Sequence, residues 1–573
     1  MAIWYLTDNS RLAHERRALE ELQKYVDWLL GLEWDLEGKK LVVRASIAAH
    51  SHQYNIKLTY PDFFPALPPN VEPDSFDKFW SSHQYSSGAL CLEWGPDNWH
   101  PDVTGAQMIE STFRLLSMEN PLGTASEKDV VPSRHYQTSG QSLRSEVFRI
   151  HVALPLLQYL MAFEEKRIGY ATLKYVLENK TLVFHVVKID EFTNVSLPDS
   201  FLKKYMEERW LVYRTSATGD EVKKVSTTEG LLQLAKANDN ETLTLTIADG
   251  PESITGIILI DRRGIPRFYY CLNDKLSEIA VVLDDSESKR IPDYCEGLCD
   301  KKIAIIGLGS VGSKVAESLC RIGAQTFYLI DEDLFLEGNL TRHTLDWRNI
   351  AFHKVDAIAQ KLRYISPQAD IQTVNINLTG QESNASVNSA VVKISNCDVI
   401  VDATANGQVF NLLAFISSSS KKPLIWAEVY AGGIGGLIAR SRPEYDPSPQ
   451  TMRQAYHQFK VDSPEFSHTI LAPYTAESSD GQVYIASDAD VSVISSHLTR
   501  LVIDTAMRAE NSMFPYSMYL IGLSEGWIFS QPFDTIPIDT KHLLEEEFMI
   551  EVDDKTHTEN TEFLMSLLEN EDD

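Results

Sequence analysis

Cysteine is scarce in this 573-residue chain, with six residues at the irregular positions 91, 271, 295, 299, 320 and 397. A disulfide framework needs a dense, paired set in a small domain, so that class of secreted scaffold is excluded. Cys295 and Cys299 have no second close pair, which excludes a zinc site of the CxxC…CxxC type. The first residues carry no apolar core of signal-peptide type, and we therefore expect a reducing, cytoplasmic setting.

Long apolar runs and positive charge are also lacking. No run approaches the roughly 20 apolar residues that span a bilayer, so no membrane span is expected. The chain has 52 Lys and Arg against 81 Asp and Glu, a formal net charge of −29. Because affinity for nucleic acid comes largely from Lys and Arg, we expect no nucleic acid ligand. The length predicts about three to four domains.

The start of the chain combines helical, strand and loop patterns. Residues 10–33 carry apolar positions at helical spacing, and two segments within 41–60 alternate as strands do. The proline-rich stretch 60–73 is predicted to be a shaped loop, since proline removes a backbone donor. Helical spacing returns over 104–118. We predict an α+β domain over residues 1–150.

The remainder divides into three further parts. Residues 151–295 mix helical and strand patterns without a recognisable chemical motif, and we interpret them as a linker domain. From 296 to 540, short apolar strands alternate with helices, which indicates a parallel, doubly wound α/β sheet. Residues 541–573 are strongly acidic and are predicted to be a tail or a lone helix.

A glycine-rich segment follows the first strand of the α/β region. Its spacing, GLGSVG, places glycines at Gly307, Gly309 and Gly312, just before a helical pattern. Such glycines allow a tight turn and let backbone N–H groups approach phosphates at a helix N-terminus. The motif alone is equally compatible with an oxidoreductase that binds a dinucleotide.

The next segment resembles the ThiF/MoeB/E1 adenylating superfamily. Asp331 ends the second strand, Asp333 follows it, and the sequence continues to Asn339, Arg342 and Lys354 in the register of that family. The resemblance implies that ATP is bound, that Asp331 holds its ribose, and that the N-L-x-R segment and the lysine contact the triphosphate. Cations at these positions suit the chemistry, because attack of a carboxylate on the α-phosphate develops negative charge.

One part of the family pattern is altered. The family has T-D-N after its fourth strand, with the aspartate on Mg²⁺, whereas this chain has DATAN starting at Asp402. Ala405 cannot bind a metal. Asp402 or Asp333 would then have to contribute, or Mg²⁺ would be held mainly by ATP itself.

A second resemblance, to ubiquitin-conjugating (E2) enzymes, surrounds Cys91. It rests on YPDFFPALPP at 60–69, GALCL at 88–92, WHP at 99–101 and ENP at 119–121. The resemblance implies that Cys91 carries a thioester. Cysteine suits this role because its thiolate is nucleophilic and its thioester still reacts with amines.

The E2 family's H-P-N segment is also altered. Here His83-Gln84-Tyr85 begins eight residues ahead of Cys91 and contains no asparagine, so the oxyanion-stabilising group is unassigned. Asn98 and His100 follow the cysteine, and together with His83 they are candidate donors or bases. Each is equally compatible with loop packing or a solvated surface.

The order of the two regions is similar to that of the E2–E1 fusion enzymes of bacterial CBASS antiphage operons. The resemblance implies ATP, Mg²⁺ and a cGAS-like nucleotidyltransferase whose C-terminus is adenylated, passed to Cys91 and joined to a lysine. In that family an E1 cysteine lies on a crossover loop, here near 445–485, but no cysteine follows Cys397. A Cys→Ala substitution at Ala472 or Ala476, which we favour, direct transfer from adenylate to Cys91, and a degenerate enzyme all explain this.

Two other functions stay open. One is an adenylating enzyme of sulfur-carrier type, in which the E2-like part only binds. The other is a non-catalytic scaffold, to which the altered H-P-N and T-D-N segments and the missing second cysteine point. By resemblance, we expect a homodimer through the adenylation region.

Overall fold

The computed structural model describes residues 3–75, 80–81, 83–85, 87–124, 138–237, 255–284, 290–464, 469–478, 481–508, 510–548, 558, 561–562 and 565. The chain divides into two compact units, Met1–Ser145 and Glu146–Asp573. The first unit thus ends just before the expected boundary at 150, because the strand Phe148–Val152 pairs within the second unit. In the described parts of the chain, no helix is long and apolar enough to cross a membrane.

The first unit is a four-stranded antiparallel sheet with helices before and after it. Its elements are α1 (Trp4–Thr7), α2 (Asn9–Tyr25), β1 (Leu29–Glu37), β2 (Lys40–Ala49), β3 (His52–Thr59), β4 (Asn70–Pro73), α3 (Gly105–Glu119) and α4 (Ser139–Ser142). The strand order is β1-β2-β3-β4. The strands predicted within 41–60 and the helix predicted over 104–118 are confirmed.

Two predictions for this unit need correction. The helix predicted over 10–33 ends at Tyr25, and β1 begins at Leu29, because pairing with β2 satisfies the backbone there and Gly31 disfavours a helix. The proline-rich stretch is a loop only as far as Pro69. Its last four residues form β4, which can contain a proline because it lies at the sheet edge.

The buried carboxylate of Glu15 ties three parts of the first unit together. Its Oε2 accepts hydrogen bonds from the Tyr60 hydroxyl at 2.8 Å and from the backbone N–H of Gly105 at 2.7 Å. Its Oε1 pairs with Arg11 at 2.7 Å. Tyr60 begins the proline-rich loop and Gly105 begins α3, so one side chain of α2 fixes both.

The second unit begins with a nine-stranded mixed sheet. Its elements are β5 (Phe148–Val152), α5 (Leu154–Met161), β6 (Ile168–Glu178), β7 (Thr181–Ile189), β8 (Phe192–Thr193), α6 (Asp199–Lys204), β9 (Glu207–Arg214), α7 (Gly219–Lys223), α8 (Thr228–Ala237), β10 (Gly256–Ile260), β11 (Pro266–Leu272), β12 (Lys275–Glu278) and β13 (Ala280–Leu283). The strand order is β12-β11-β10-β9-β6-β7-β5-β13, with β8 on β7. Trp210 and Val212 pack on one face, and Leu211 and Tyr213 on the other.

The α/β region follows within the same unit. Its elements are β14 (Lys302–Ile306), α9 (Ser310–Arg321), β15 (Thr326–Ile330), α10 (Lys354–Ile365), β16 (Asp370–Val374), α11 (Asn384–Ser395), β17 (Val399–Asp402), α12 (Gly407–Ser420), β18 (Leu424–Val429), β19 (Gly435–Ser441), α13 (Pro449–Asp462), β20 (Thr469–Ala472), β21 (Thr475–Glu477), β22 (Val483–Ile485), α14 (Asp488–Met507), β23 (Met518–Gly522), β24 (Thr535–Pro537) and α15 (Lys541–Phe548). Short 3₁₀ segments occupy Asp293–Asp300, Glu337–Thr341, Trp347–Asn349 and Ala431–Gly433.

The main sheet of this region has the order β16-β15-β14-β17-β18-β19-β23-β24. The first five strands are parallel, which confirms the predicted doubly wound α/β sheet. Side chains of β14 alternate between two cores: Ile303 and Ile305 pack toward α9, α10 and α14, and Ala304 and Ile306 toward α11, α12 and α13. The strands are therefore covered on both faces, as a parallel sheet requires.

Two smaller features complete the second unit. Strands β20, β21 and β22 form a separate three-stranded antiparallel sheet within the expected crossover segment. At the C-terminal end, α15 begins the acidic tail predicted over 541–573, most of which lies outside the described residues.

Candidate functional site

The glycine segment lies where the strand order of the main sheet changes direction. Strand β14 sits between β15 and β17, so the loop that follows it is at the switch point where doubly wound sheets bind ligands. Gly307 has φ +84, and a Cβ there would lie 2.9 Å from the backbone of Ala403 and Thr404. A Cβ at Gly312 would collide with the carbonyl oxygen of Gly307, whereas one at Gly309 would enter open space. Two glycines thus permit close packing, and the third leaves room for a ligand.

A polar cleft of about 260 Å³ opens beside this loop. Five of the residues predicted to bind nucleotide line it: Gly307, Gly309, Asp331, Asp333 and Lys354. Gly312, Asn339, Arg342 and Asp402 are not among its lining residues. The cleft therefore brings together the glycine loop, the end of β15 and the start of α10.

Asp331 holds the glycine loop against the end of β15. Its two carboxylate oxygens accept hydrogen bonds from the backbone N–H groups of Leu308, at 2.6 Å, and Asp333, at 2.8 Å. Burial raises the pKa of Asp331, and these two donors oppose that shift. Each oxygen retains a further lone pair, so the same carboxylate can accept hydroxyl groups of a ligand.

Lys354, the first residue of α10, is the cation of the cleft. Its side chain is 8% exposed, and its Nζ lies 2.7 Å from Oδ2 of Asp333, which is 64% exposed. The backbone N–H of Lys354 also donates to the carbonyl oxygen of Asp333 at 3.0 Å. A buried ammonium needs such a partner, and an entering phosphate would compete with Asp333 for it.

Arg342 lies next to the cleft without lining it. Its Nη1 donates to the carbonyl oxygen of Ala486 at 3.4 Å, and its guanidinium is 4.9 Å from the ring centroid of Tyr474. The buried Nε of Arg342 has no partner among the described residues. Tyr474 does line the cleft, so the arginine supports one wall. Asn339 instead accepts from the N–H of Leu336 at 2.9 Å and closes a turn.

His343 is a supporting residue that the motifs did not indicate. It is buried, and its Nε2–H donates to the carbonyl oxygen of Leu308, in the glycine loop, at 2.7 Å. Its Nδ1 accepts from the N–H of Leu345 at 3.1 Å. Burial lowers the pKa of His343 to about 4, so the neutral ring braces the loop at neutral pH. In the sequence, only the position of His343 next to Arg342 indicates that it could contribute to the site.

The segment after β17 offers no carboxylate to a metal. Asp402 is buried, and its Oδ1 accepts from the N–H of Thr404 at 3.0 Å and from its hydroxyl at 2.6 Å. Burial raises the pKa of Asp402. Ala405 is exposed and has φ +52, and Asn406 caps α12. Across the described ranges, no three His, Cys, Asp or Glu side chains converge as metal ligands do.

A second cavity, of about 580 Å³, adjoins the cleft and shares Ala403, Thr404, Asn406 and Tyr474 with it. Residues 470–474, from β20 and the turn after it, form one wall. The two alanines at which a cysteine was suspected differ here. Ala472 is exposed and lines this cavity, whereas Ala476 is fully buried. Ser479 and Asp480, also in the crossover segment, lie outside the described residues.

In the first unit, Cys91 lies on one arm of a short hairpin. Gln84 and Leu90 form an antiparallel bridge, and the N–H of Cys91 donates to the carbonyl oxygen of His83 at 2.6 Å. The Tyr85 hydroxyl donates to Sγ of Cys91 at 3.5 Å. The altered H-P-N segment is thus directly opposite the cysteine. The sequence motif includes Tyr85 but does not indicate that its hydroxyl is a donor to Cys91.

The three helper residues suggested by the sequence have different surroundings. Asn98 closes its own loop, accepting from the N–H of Gly95 and donating to the carbonyl oxygen of Glu93, each at 2.7 Å. His100 is 68% exposed and pairs with Asp102 at 3.2 Å. His83 contributes its carbonyl oxygen to the Cys91 hairpin. None of the three side chains has a hydrogen bond to Cys91 among the described contacts.

The family comparison points to the α/β region. Residues 287–458 match the ThiF family. The ATP-dependent ubiquitin transferase-like protein Cap2 of Enterobacter hormaechei subsp. hoffmannii (strain UCI 50) is 36% identical over 125 residues, 22% of this chain and 20% of the relative. Cap2 of Escherichia coli (strain TW11681) is 27% identical over 227 residues, 37% and 36% of the two chains.

Eukaryotic activating enzymes are similar as well. Ubiquitin-like modifier-activating enzyme 5 of Drosophila persimilis is 29% identical over 155 residues, 26% of this chain and 40% of the relative. The chain therefore matches well under half the length of these relatives. The crystal structure of E. coli MccB with ATP superposes with a TM-score of 0.33 and 16% identity over 43% of this chain and 66% of that one.

The family match and the sheet agree on this part of the chain. The matched range contains the glycine loop, Asp331, Lys354 and strands β14 to β19. Residues 287–458, which match the ThiF family, are built on a doubly wound α/β sheet.

Proposed function

We propose that this chain is an ATP-dependent activating and conjugating enzyme for a protein with an accessible C-terminal carboxylate. The carboxylate would attack the α-phosphate of ATP and displace pyrophosphate, giving an acyl-adenylate. A thiol would then capture the acyl group with release of AMP, and Cys91 would pass the acyl group to a lysine amine and return to the free thiol. The observation that carries the proposal is the cleft in which the glycine loop, Asp331 and Lys354 meet within the residues that match the ThiF family.

The residues of the cleft fit ATP. Gly309 is the N-cap of α9 and lines the cleft, so the backbone N–H groups of the first helical turn can donate hydrogen bonds to phosphate oxygens. Lys354 supplies positive charge for the triphosphate, and Asp331 can accept a ribose hydroxyl. Mg²⁺ would be carried by the phosphates with Asp333 beside it, because Asp402 is buried and already bonded to Thr404.

The second cavity fits the approach of a carboxylate-bearing chain end. It meets the nucleotide cleft at Ala403 and Tyr474 and extends to Ala472. An acyl group activated in the cleft would thus be close to the crossover sheet. We infer that a thiol at Ala472 would be accessible to it, whereas one at the fully buried Ala476 would not.

Partners and assembly follow from the resemblance and from the named relatives. Two of these relatives are called ubiquitin transferase-like proteins, and another is called a ubiquitin-like modifier-activating enzyme. We propose a cGAS-like nucleotidyltransferase as the protein that is activated, a lysine-bearing acceptor, and a homodimer through the adenylation region. A monomer by light scattering at micromolar concentration would contradict the last of these.

The absence of cysteine after Cys397 favours a second candidate, an enzyme that adenylates without its own E1 thioester. In that case adenylate formation would be unaffected by Cys91→Ala, and no covalent protein product would form. The main proposal predicts instead an adduct on Cys91 that thiols release.

One experiment separates these functions. The chain is incubated with ATP, Mg²⁺ and a cGAS-like protein, and pyrophosphate exchange and non-reducing electrophoresis are measured together. We expect exchange and a thiol-sensitive adduct that is lost in Cys91→Ala. The adduct should form faster in Ala472→Cys, with Ala476→Cys as the matched control. Absence of both exchange and adduct, even in Ala472→Cys, would exclude the proposed function.

A further inference from the structure

The contact between Tyr85 and Cys91 joins the two arms of the short hairpin. The N–H of Tyr85 donates to the carbonyl oxygen of Ala89, and the N–H of Gly88 donates to the carbonyl oxygen of Tyr85, each at 2.8 Å. Gly88 has φ +96, which the turn between the arms requires. Both ends of the Tyr85 peptide are therefore held, and its side chain projects from a fixed point toward Sγ of Cys91.

We propose that Tyr85 is a catalytic residue of the Cys91 site, whose hydroxyl donates a hydrogen bond first to the sulfur and then to the oxyanion of the reacting thioester. This inference rests on the proposed function, since it assigns the oxyanion group that the altered H-P-N segment left open. The phenol oxygen is 3.5 Å from Sγ, and the thioester carbonyl oxygen would be only two bonds from that sulfur. The donor can therefore follow the charge from sulfur to oxygen by a small side-chain rotation.

The chemistry of Tyr85 suits a donor at neutral pH. The hydrogen bond to Cys91, together with burial, raises the pKa of Tyr85 to about 12, so the phenol keeps its proton. The residue is 46% exposed, which leaves the thioester accessible to an incoming amine. By contrast, both polar ends of the Asn98 side chain are engaged within its own loop.

The step that Tyr85 would assist is aminolysis. The lysine nitrogen attacks the thioester carbonyl carbon, and the C=O electron pair moves to oxygen, which accepts the Tyr85 hydrogen bond. The oxyanion then re-forms C=O and breaks the C–S bond, and the electron pair leaves on Sγ as a thiolate. The amine proton passes to water, and Tyr85 donates again to the sulfur. No oxidant, metal or further reactant is needed.

The test bypasses ATP and the unidentified protein substrate. The full chain is charged by thiol exchange with a synthetic glycine-ended peptide thioester, the charged residue is identified by peptide mass analysis, and discharge onto free lysine is followed. Tyr85→Phe removes one oxygen atom, and Tyr25→Phe, at a tyrosine 77% exposed on α2, is the matched control. Thermal unfolding provides a second readout, which shows whether the substitution disturbs the fold.

We expect discharge from Cys91 to be roughly 100- to 1,000-fold slower in Tyr85→Phe, because removing one oxyanion donor has effects of this order. The thermal midpoint of Tyr85→Phe should stay close to that of the wild type, because the residue is 46% exposed and the change removes only its hydroxyl group. Tyr25→Phe should match the wild type in both assays. Equal discharge rates in Tyr85→Phe and Tyr25→Phe would overturn the assignment. Failure of pyrophosphate exchange with intact, Tyr85-dependent discharge would remove only the adenylation proposal.

Discussion

Gly309→Ala tests whether backbone N–H groups of the glycine loop donate hydrogen bonds to phosphate oxygens. Gly309 has φ −73 and ψ −150, an extended conformation open to alanine, and its added Cβ would have no heavy atom within 4 Å. The methyl group would nevertheless occupy the side of the loop that lines the cleft. The substitution should therefore exclude a ligand without disturbing the fold.

The expected magnitudes follow from this geometry. A hydrogen bond to a charged group contributes about 1.5–3 kcal/mol, so losing one backbone contact to phosphate should weaken ATP binding roughly 10- to 150-fold. Stability should change little: replacing glycine stabilises by about 0.4–1 kcal/mol through the unfolded chain, and alanine is a poorer N-cap for α9 by a similar amount. The affinity for ATP should therefore fall while the free energy of unfolding stays nearly unchanged.

ATP binding to the protein is measured by isothermal titration calorimetry in the presence of Mg²⁺, and unfolding is measured by scanning calorimetry. Gly140→Ala, in α4, meets only one atom at 3.9 Å and is the control for the substitution itself. Gly312→Ala is the steric counterpart, because its Cβ would collide with Gly307, and it should lower both binding and the thermal midpoint, by about 1–3 kcal/mol in stability. Wild-type ATP affinity in Gly309→Ala would refute the phosphate assignment.

Two further substitutions test the surroundings of the cleft, and a third tests a buried ion pair between Arg440 of β19 and Asp504 of α14. Lys354→Met should reduce pyrophosphate exchange at least ~100-fold, while the exposed Asp333 rehydrates and the thermal midpoint stays nearly unchanged; normal exchange would contradict its role. His343→Asn tests a pH effect. Because its folded pKa, about 4, is below the unfolded value, stability from neutral His343 is full above the unfolded pKa and declines as pH falls from about 6.5 to 4, by at most ~1.4 kcal/mol per pH unit. Calorimetry at several pH values should show a shallower decline in the variant, and parallel curves would exclude the assignment. Arg440→Met leaves Asp504 buried without the cation 2.7 Å away and should destabilise by about 3–5 kcal/mol, whereas Arg16→Met, from an exposed pair, should change stability by less than about 1 kcal/mol.

Much of the α/β region could be predicted from the sequence because its signals are local and agree with one another. The strand β14 is apolar at every position from Ile303 to Ile306, and its side chains fill cores on both faces of the sheet. A strand of that kind, followed by glycines and a helix, is compatible with few folds other than a parallel α/β sheet. By contrast, Leu29–Glu37 has apolar residues compatible with either period, and only pairing with β2 selects the strand.

The side chains that hold the glycine loop in place are less predictable from the sequence. The family resemblance predicts that Asp331 holds a ribose, and in the structure its carboxylate already accepts hydrogen bonds from the N–H groups of Leu308 and Asp333. His343 reaches the other side of Leu308 through the carbonyl oxygen. Neither contact follows from a spacing rule, because both depend on how the loop folds back across the end of β15. The backbone N–H and C=O of Leu308 are thus held by two segments that are separate in the sequence.

The surroundings of Cys91 illustrate the same limit. Counting residues back from the cysteine finds no asparagine, and that count alone favours a non-catalytic scaffold. Hairpin geometry determines which side chain actually faces the sulfur: pairing of Gln84 with Leu90 brings the preceding and following residues of the two arms together, and the long Tyr85 side chain spans the remaining distance. A tyrosine closer in sequence can thus supply the donor that a shorter amide supplies from farther away. The loss of the asparagine therefore does not by itself argue against catalysis at Cys91.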